Sequence, residues 1–240
     1  MTAVWKRELQ NYFCTSVGYV FMGIFLLVGG VVFFLGNILA ASASLSTLLG
    51  NLNYIFMLIV PILTMKLLSE ERRTKTDQLL LTSPLSVWSI VMGKFLAACT
   101  VILISTLVTL SCVAVMAHYS EALSPALIAT NYLGFLLLGF TYAAIGVLMS
   151  ALTENQVSAA VLTIGVNLFL QILEGVGASL TIPGLTFLNT VISWLGLYSR
   201  YNDFAGGILS FSNIFYYLSV CGVLLFLTVR VIDRRRWSEG

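Results

Sequence analysis

The chain has 240 residues, 59% hydrophobic and only 9% charged, with a net charge of +2 at pH 7. A water-facing globular domain carries about 25% charged residues, so a mean hydropathy of +0.98 excludes a soluble enzyme. The composition predicts an all-α, polytopic integral membrane protein, because a bilayer accepts only segments that satisfy their own backbone.

The charge-free runs set the number of crossings. No Lys, Arg, Asp or Glu occurs in Leu9–Met65, Phe95–Ser120, Ala122–Thr153, Asn155–Leu173 or Phe204–Val229. A helix needs about 20 apolar residues to cross the hydrocarbon core, so the first run holds two spans and each of the others one. The spans fall at Val17–Leu39, Leu52–Leu68, Ile90–Ala117, Asn131–Leu152, Val157–Leu173 and Asn213–Val231, in a single transmembrane domain covering residues 1–240.

Ahead of the first span, Trp5, Leu9, Tyr12 and Phe13 share one helical arc; Arg7, Gln10, Asn11 and Cys14 lie opposite, with Lys6 and Glu8 at the borders. Such a pattern predicts an N-terminal amphipathic helix in the membrane interface. Lys6 and Arg7 before an apolar run ending in Ala41-Ser42-Ala43 also suggest a cleaved leader. The run of about 23 residues exceeds the roughly 7 to 15 of a signal h-region, so it reads as a retained span.

The second span carries Pro61, which removes an amide donor and predicts a kink. Its cytoplasmic continuation, 69–89, is the most polar stretch of the chain. Glu70 and Glu71 lead, and Arg72, Arg73 and Lys75 follow, an order that suits a helix dipole. Leu79, Leu80 and Leu81 then project apolar side chains, Pro84 stops the helix, and Ser86 is the N-cap candidate for the next. Two destinations fit the leucines: the membrane interface, or a groove on another protein.

In the fourth span Gly139, Ala143, Gly146 and Ser150 form a small-residue stripe that predicts close helix packing. In the fifth, Gln156, Thr163, Asn167, Gln171 and Glu174 fall within about 80° of arc at about 100° per residue. A polar stripe faces protein or water rather than lipid, so interhelical hydrogen bonding, a translocation path and a dimer seam all fit. The outer connection 174–212 is long and apolar, and reads as re-entrant or interfacial helices flanked by Pro183-Gly184 and Gly206-Gly207.

Eleven of the 12 Lys and Arg residues, Lys6, Arg7, Lys66, Arg72, Arg73, Lys75, Lys94, Arg230, Arg234, Arg235 and Arg236, fall on one side of a six-span topology; Arg200 alone falls opposite. The positive-inside rule makes that side, with both termini, cytoplasmic. No charge lies near the middle of a span, which disfavours a proton relay or voltage sensor. The four cysteines form no C-x-x-C pair and His118 has no second ligand at helical spacing, so no metal site is expected. The phosphate-cradling G-x-x-x-x-G-K-[ST] is absent around Gly93-Lys94, and the basic residues suit a topological anchor rather than a nucleic-acid groove. No catalytic residue is expected.

In this order of elements the chain resembles the membrane subunit of type-2 ABC exporters, in particular the gliding-motility-type permeases. The local matches are Glu70-Glu71-Arg72-Arg73, Thr76-Asp77-Gln78, Leu79-Leu80-Leu81, Pro84 and Gly93-Lys94, and later Phe204, Gly207-Ile208-Leu209, Tyr216-Tyr217 and Arg234-Arg235-Arg236-Trp237. Asp77-Gln78 stands where that family usually has glutamate. The resemblance implies that 69–89 holds a coupling helix, with Glu70, Glu71, Arg72, Thr76, Asp77, Leu79, Leu80 and Pro84 set against a separate cytoplasmic ATPase. ATP and Mg would then bind that partner and not this chain. A second permease chain, identical or related, would complete the route, with an auxiliary extracytoplasmic subunit as a further partner and membrane lipid around it. A bacterial cell (inner) membrane is the implied location. A different class of function fits the same loop: a non-transporting scaffold through which the ATPase drives a mechanical or signalling partner.

Overall fold

The computed structural model describes residues 1–75, 86–119, 124–179 and 196–238, and every element among them is a helix. Among the described residues six helical segments are long and apolar enough to cross a membrane: Ser16–Ile38, Leu45–Arg73, Val87–His118, Pro125–Leu152, Gln156–Gly177 and Phe211–Arg234. The fold is that of a polytopic membrane protein.

Helix α1 (Thr2–Cys14) ends at Thr15, which is extended at φ −97° and ψ 161°. The join to α2 (Ser16–Phe33) is tight, since a Cβ on Gly18 would lie 2.5 Å from the carbonyl oxygen of Tyr12. A π-helical turn, Phe34–Ile38, closes the first span. Asn37 in that turn donates to the carbonyls of Ser42 and Ser44 at 2.9 and 3.1 Å, which folds the loop back on the helix end.

Ser44 caps α3 (Leu45–Thr64), accepting from the amide of Thr47. After a break at Met65 the chain continues as α4 (Lys66–Arg73). Ser86 caps α5 (Val87–Val108), and a turn at Thr109 leads into α6 (Leu110–Tyr119). The Thr109 hydroxyl turns back onto the carbonyl of Thr106 and lies 3.0 Å from the Tyr132 phenol, which satisfies the interruption. Then come α7 (Pro125–Leu152), α8 (Gln156–Ser179), α9 (Tyr198–Ala205) and α10 (Phe211–Ser238).

Helix α7 is the axis of the bundle. It packs against α3, α5, α8, α9 and α10, and 72% of its most apolar window is buried against 22% for the α8 and α10 spans. Those two, with α2 and the π-helical turn that follows it, turn Leu27, Leu35, Val161, Phe169, Phe211 and Phe215 outward, where lipid replaces water. The small stripe of α7 is what lets α3 approach. A Cβ on Gly139 would lie 2.6 Å from Phe56 Cε1, and one on Gly146 only 2.0 Å from Thr64 Oγ1. Ala143 between them is fully buried, so the groove fits one helix and no larger side chains.

Candidate functional site

The polar residues gather at the end of the bundle that holds α1, α4 and the start of α5. At the Met65 break, the amides of the first turn of α4 lose their helical acceptors. Ser150, the last residue of the α7 stripe, replaces them: its hydroxyl oxygen accepts from the amides of Leu68 and Ser69 at 3.1 and 3.0 Å and donates to the carbonyl of Met65 at 3.0 Å. One hydroxyl thus joins the end of α3, the start of α4 and the end of α7. Arg72 extends this attachment, pairing with Glu154 at 2.5 Å and reaching the carbonyl of Leu152 at 3.4 Å. With Glu154 65% exposed, that pair contributes at most about 1 kcal/mol.

A second attachment runs through Lys94. Its Nζ lies 2.9 Å from Glu8 Oε1 and 2.7 Å from Glu71 Oε1, and the residue is 1% exposed. Three separate elements, α1, α5 and α4, therefore meet at one ammonium. A buried ammonium with no partner is destabilising by about 3–5 kcal/mol, so a carboxylate beside it is a condition for the lysine being there. Helix α1 is held against α5 by more than charge. A Cβ on Gly93 would lie 2.9 Å from Val4, and the Trp5 indole donates to Thr100 Oγ1 at 3.1 Å. The Tyr12 phenol donates to the carbonyl of Leu63 at 2.9 Å; burial, and behind it the charge of Glu8, holds its pKa well above the usual tyrosine value, so it is a neutral donor.

The periodicity of α1 placed Glu8 on the border of the helix and Trp5, Leu9, Tyr12 and Phe13 on its apolar face. In the structure the buried residues are Val4, Glu8 and Tyr12, so the protein-facing side is centred on the glutamate. Glu71, read together with Glu70 as part of the docking face, turns inward to Lys94, while Glu70 is exposed. Thr76, Asp77, Leu79, Leu80 and Pro84 lie outside the described residues. The Gly93-Lys94 motif was the one sequence signal for the triad, and it did not reveal the lysine's partners.

The polar stripe of α8 serves two further attachments within the chain. Thr163 bonds to the carbonyl of Ala159 in its own helix at 2.7 Å. Asn167, 1% exposed, donates to the carbonyl of Met57 on α3 at 3.5 Å. The side-chain oxygens of Asn167 and Gln171 are buried with no hydrogen-bond partner among the described residues. Glu174 accepts from the amides of Tyr198, at 3.0 Å, and of Ser199, and so caps the N-terminus of α9. Asn131 holds the other end, donating to the carbonyls of Phe204 and Ala205 at 3.2 and 3.3 Å.

The model of the ABC-2 family transporter protein matches residues 34–234. The chain belongs to this family. No curated protein matches the chain.

The ABC-2 match starts in the π-helical turn of the first span and runs nearly to the end of α10. It covers Glu71, Lys94 and Ser150, and leaves α1, with Glu8, ahead of it. Membership makes the chain the membrane subunit of an ABC transporter, a class in which the ATPase site is on another polypeptide and a cytoplasmic ABC ATPase is the normal partner. Among the described residues no group of three His, Cys, Asp or Glu could hold a metal ion.

Proposed function

We propose that this chain is the permease subunit of an ATP-driven exporter of the gliding-motility type in a bacterial cell membrane, both termini cytoplasmic. The segment that begins with α4 is its coupling helix. A cytoplasmic ATPase, carrying ATP and Mg, docks there through Glu70 and the leucines at Leu79 and Leu80, and a second permease chain completes the route. Asn167 and Gln171, whose buried oxygens have no acceptor role within the described chain, give the route its polar side at the α3–α8 seam.

The observation that carries the reading is how α4 is held. It is fastened at Ser150 to α7, at Glu154 to the α7–α8 connection, and at Lys94 to α5 and α1. A force applied to α4 therefore reaches four parts of the bundle through specific polar contacts, which is what a transmission element needs. The reading is tested by purifying the tagged full-length chain from its native membrane in mild detergent. Recovery of a Walker-motif ATPase near one-to-one, lost in Leu80→Asp, is the expected result. A chain that elutes alone and without ATP hydrolysis overturns it, and an ATPase complex that moves no cargo would favour the scaffold instead.

A further inference from the structure

Two carboxylates share one buried ammonium, and the helices that bring them are held in different ways. Glu8 sits on α1, which is packed on α5 through the close approach of Val4 to Gly93 and the bond from Trp5 to Thr100. Glu71 sits on α4, whose packing is on α7 and α8. Beside the triad a cavity of about 280 Å³, lined by Glu8, Tyr12, Lys66, Leu67 and Glu70 among others, lies between α1 and α4. The side chain of Glu71 is also the more exposed of the two carboxylates, at 16% against 11%.

We propose that Glu8 is the resident counterion of Lys94 and Glu71 an exchangeable one, so that α4 can leave α5 and return without stranding a buried ammonium. The proposal rests on the reading of α4 as the moving coupling element. Its physical basis is an asymmetry. Removing the sole partner of a buried charge is strongly destabilising, whereas removing one of two is not, because the survivor neutralises the charge. The two carboxylates also repel each other across the ammonium, which offsets part of the attraction of Lys94 and Arg7 for Glu71, while Glu8 stays with the ammonium when Glu71 departs. Lys94 is in this sense a positioning residue: it attracts α4 back to one place and is itself held by α1.

The test uses the full-length chain in lipid nanodiscs, comparing Glu8→Gln, Glu71→Gln, the double variant and the triple variant that adds Lys94→Met, read by thermal melting and by hydrogen exchange over residues 2–14 and 66–73. Glu71→Gln should accelerate exchange in 66–73 and leave 2–14 protected. Glu8→Gln should lower the melting midpoint further than Glu71→Gln does. In the double variant the ammonium is bare, so its midpoint should fall by more than the sum of the two single shifts, and Lys94→Met should recover part of the loss. Additive shifts overturn the proposal, as does equal loosening of 2–14 by either single variant. If the double variant does not fold, the triple decides: with no buried charge left it should fold, and its failure to do so counts against shared neutralisation. These readouts need neither ATPase nor cargo, so the counterion assignment stands or falls apart from the permease reading. In the complex with its co-purified ATPase, trapping with ATP and vanadate should raise exchange in 66–73 alone; an equal response in 2–14 overturns the exchangeable role of Glu71.

Discussion

Asn167 on α8 donates from Nδ2 to the carbonyl oxygen of Met57 on α3, and Met57 stands one helical turn before Pro61, whose ring nitrogen has no hydrogen to offer that carbonyl. A vacancy in one span's backbone ladder is filled from a neighbouring span, as an apolar medium requires. Asn167→Ala should therefore cost about 1 kcal/mol, seen as a lower melting midpoint in detergent. In a Pro61→Ala background the alanine amide can serve Met57 itself, and the same Asn167→Ala change should cost measurably less. An equal cost in both backgrounds would mean that the asparagine acts by packing alone.

The sequence made half of this relationship legible. Pro61 within a charge-free run announces a free carbonyl, but nothing in the local pattern names Asn167 as its donor, because the two lie on different spans. The same limit applies to the ion triad. Charge-free runs counted the spans because bilayer thickness acts on each segment separately. Glu8 and Lys94 are 86 positions apart, and a glutamate at the border of an amphipathic arc reads as solvated until a buried cation is brought to it. Periodicity likewise put Glu174 on the α8 stripe without showing that it caps α9, since an end cap is decided by where the next helix starts.

The glycines of α7 and α8 differ in what surrounds them, and this gives an internal control. Gly146→Ala would place a Cβ 2.0 Å from Thr64 Oγ1, and Gly134→Ala one 2.6 Å from Phe204 Cβ; both should destabilise by about 1–3 kcal/mol through overpacking. Gly165 on α8 has open space where its Cβ would go, so Gly165→Ala should leave the melting midpoint unchanged or slightly raised. If Gly146→Ala behaves like Gly165→Ala, α3 is not seated in the α7 groove; if Gly134→Ala does, α9 is not seated against α7.

Ser150 meets three backbone groups with one hydroxyl. Ser150→Ala keeps the small volume that α3 needs and removes only the polar atom, leaving the amides of Leu68 and Ser69 to find other partners, while the carbonyl of Met65 keeps the Ser69 hydroxyl. Buried unsatisfied groups of this kind cost about 1–3 kcal/mol. The loss should be local, appearing as faster hydrogen exchange over 66–73 with little change in α7. Ser150→Cys, which restores a weak donor and acceptor of similar size, should recover part of the protection. Unchanged exchange in 66–73 would show that α4 is seated without this hydroxyl.

Glu174 and Asn131 hold the two ends of α9, and the rest of the helix is fixed from α10. The Tyr217 phenol donates to the carbonyl of Leu197 at 2.5 Å, and Asn213 donates to Asp203 Oδ2 at 2.7 Å. Arg200 bonds Asn213 at 3.2 Å and lies 3.8 Å from the centre of the Tyr216 ring. Helix α9 has only eight residues, too short to persist by its own hydrogen bonds, so its end caps matter more than they would in a long span. Glu174→Ala should expose the amides of Tyr198 and Ser199 at a cost of about 1 kcal/mol, and Glu174→Gln, which keeps an acceptor but loses the charge favoured at a helix N-terminus, should fall between alanine and the native residue. Hydrogen exchange over 197–205 measures both. The ordering native, glutamine, alanine identifies capping as the role of Glu174; full protection in the alanine variant would place the stability of α9 with Tyr217 and Asn213 instead.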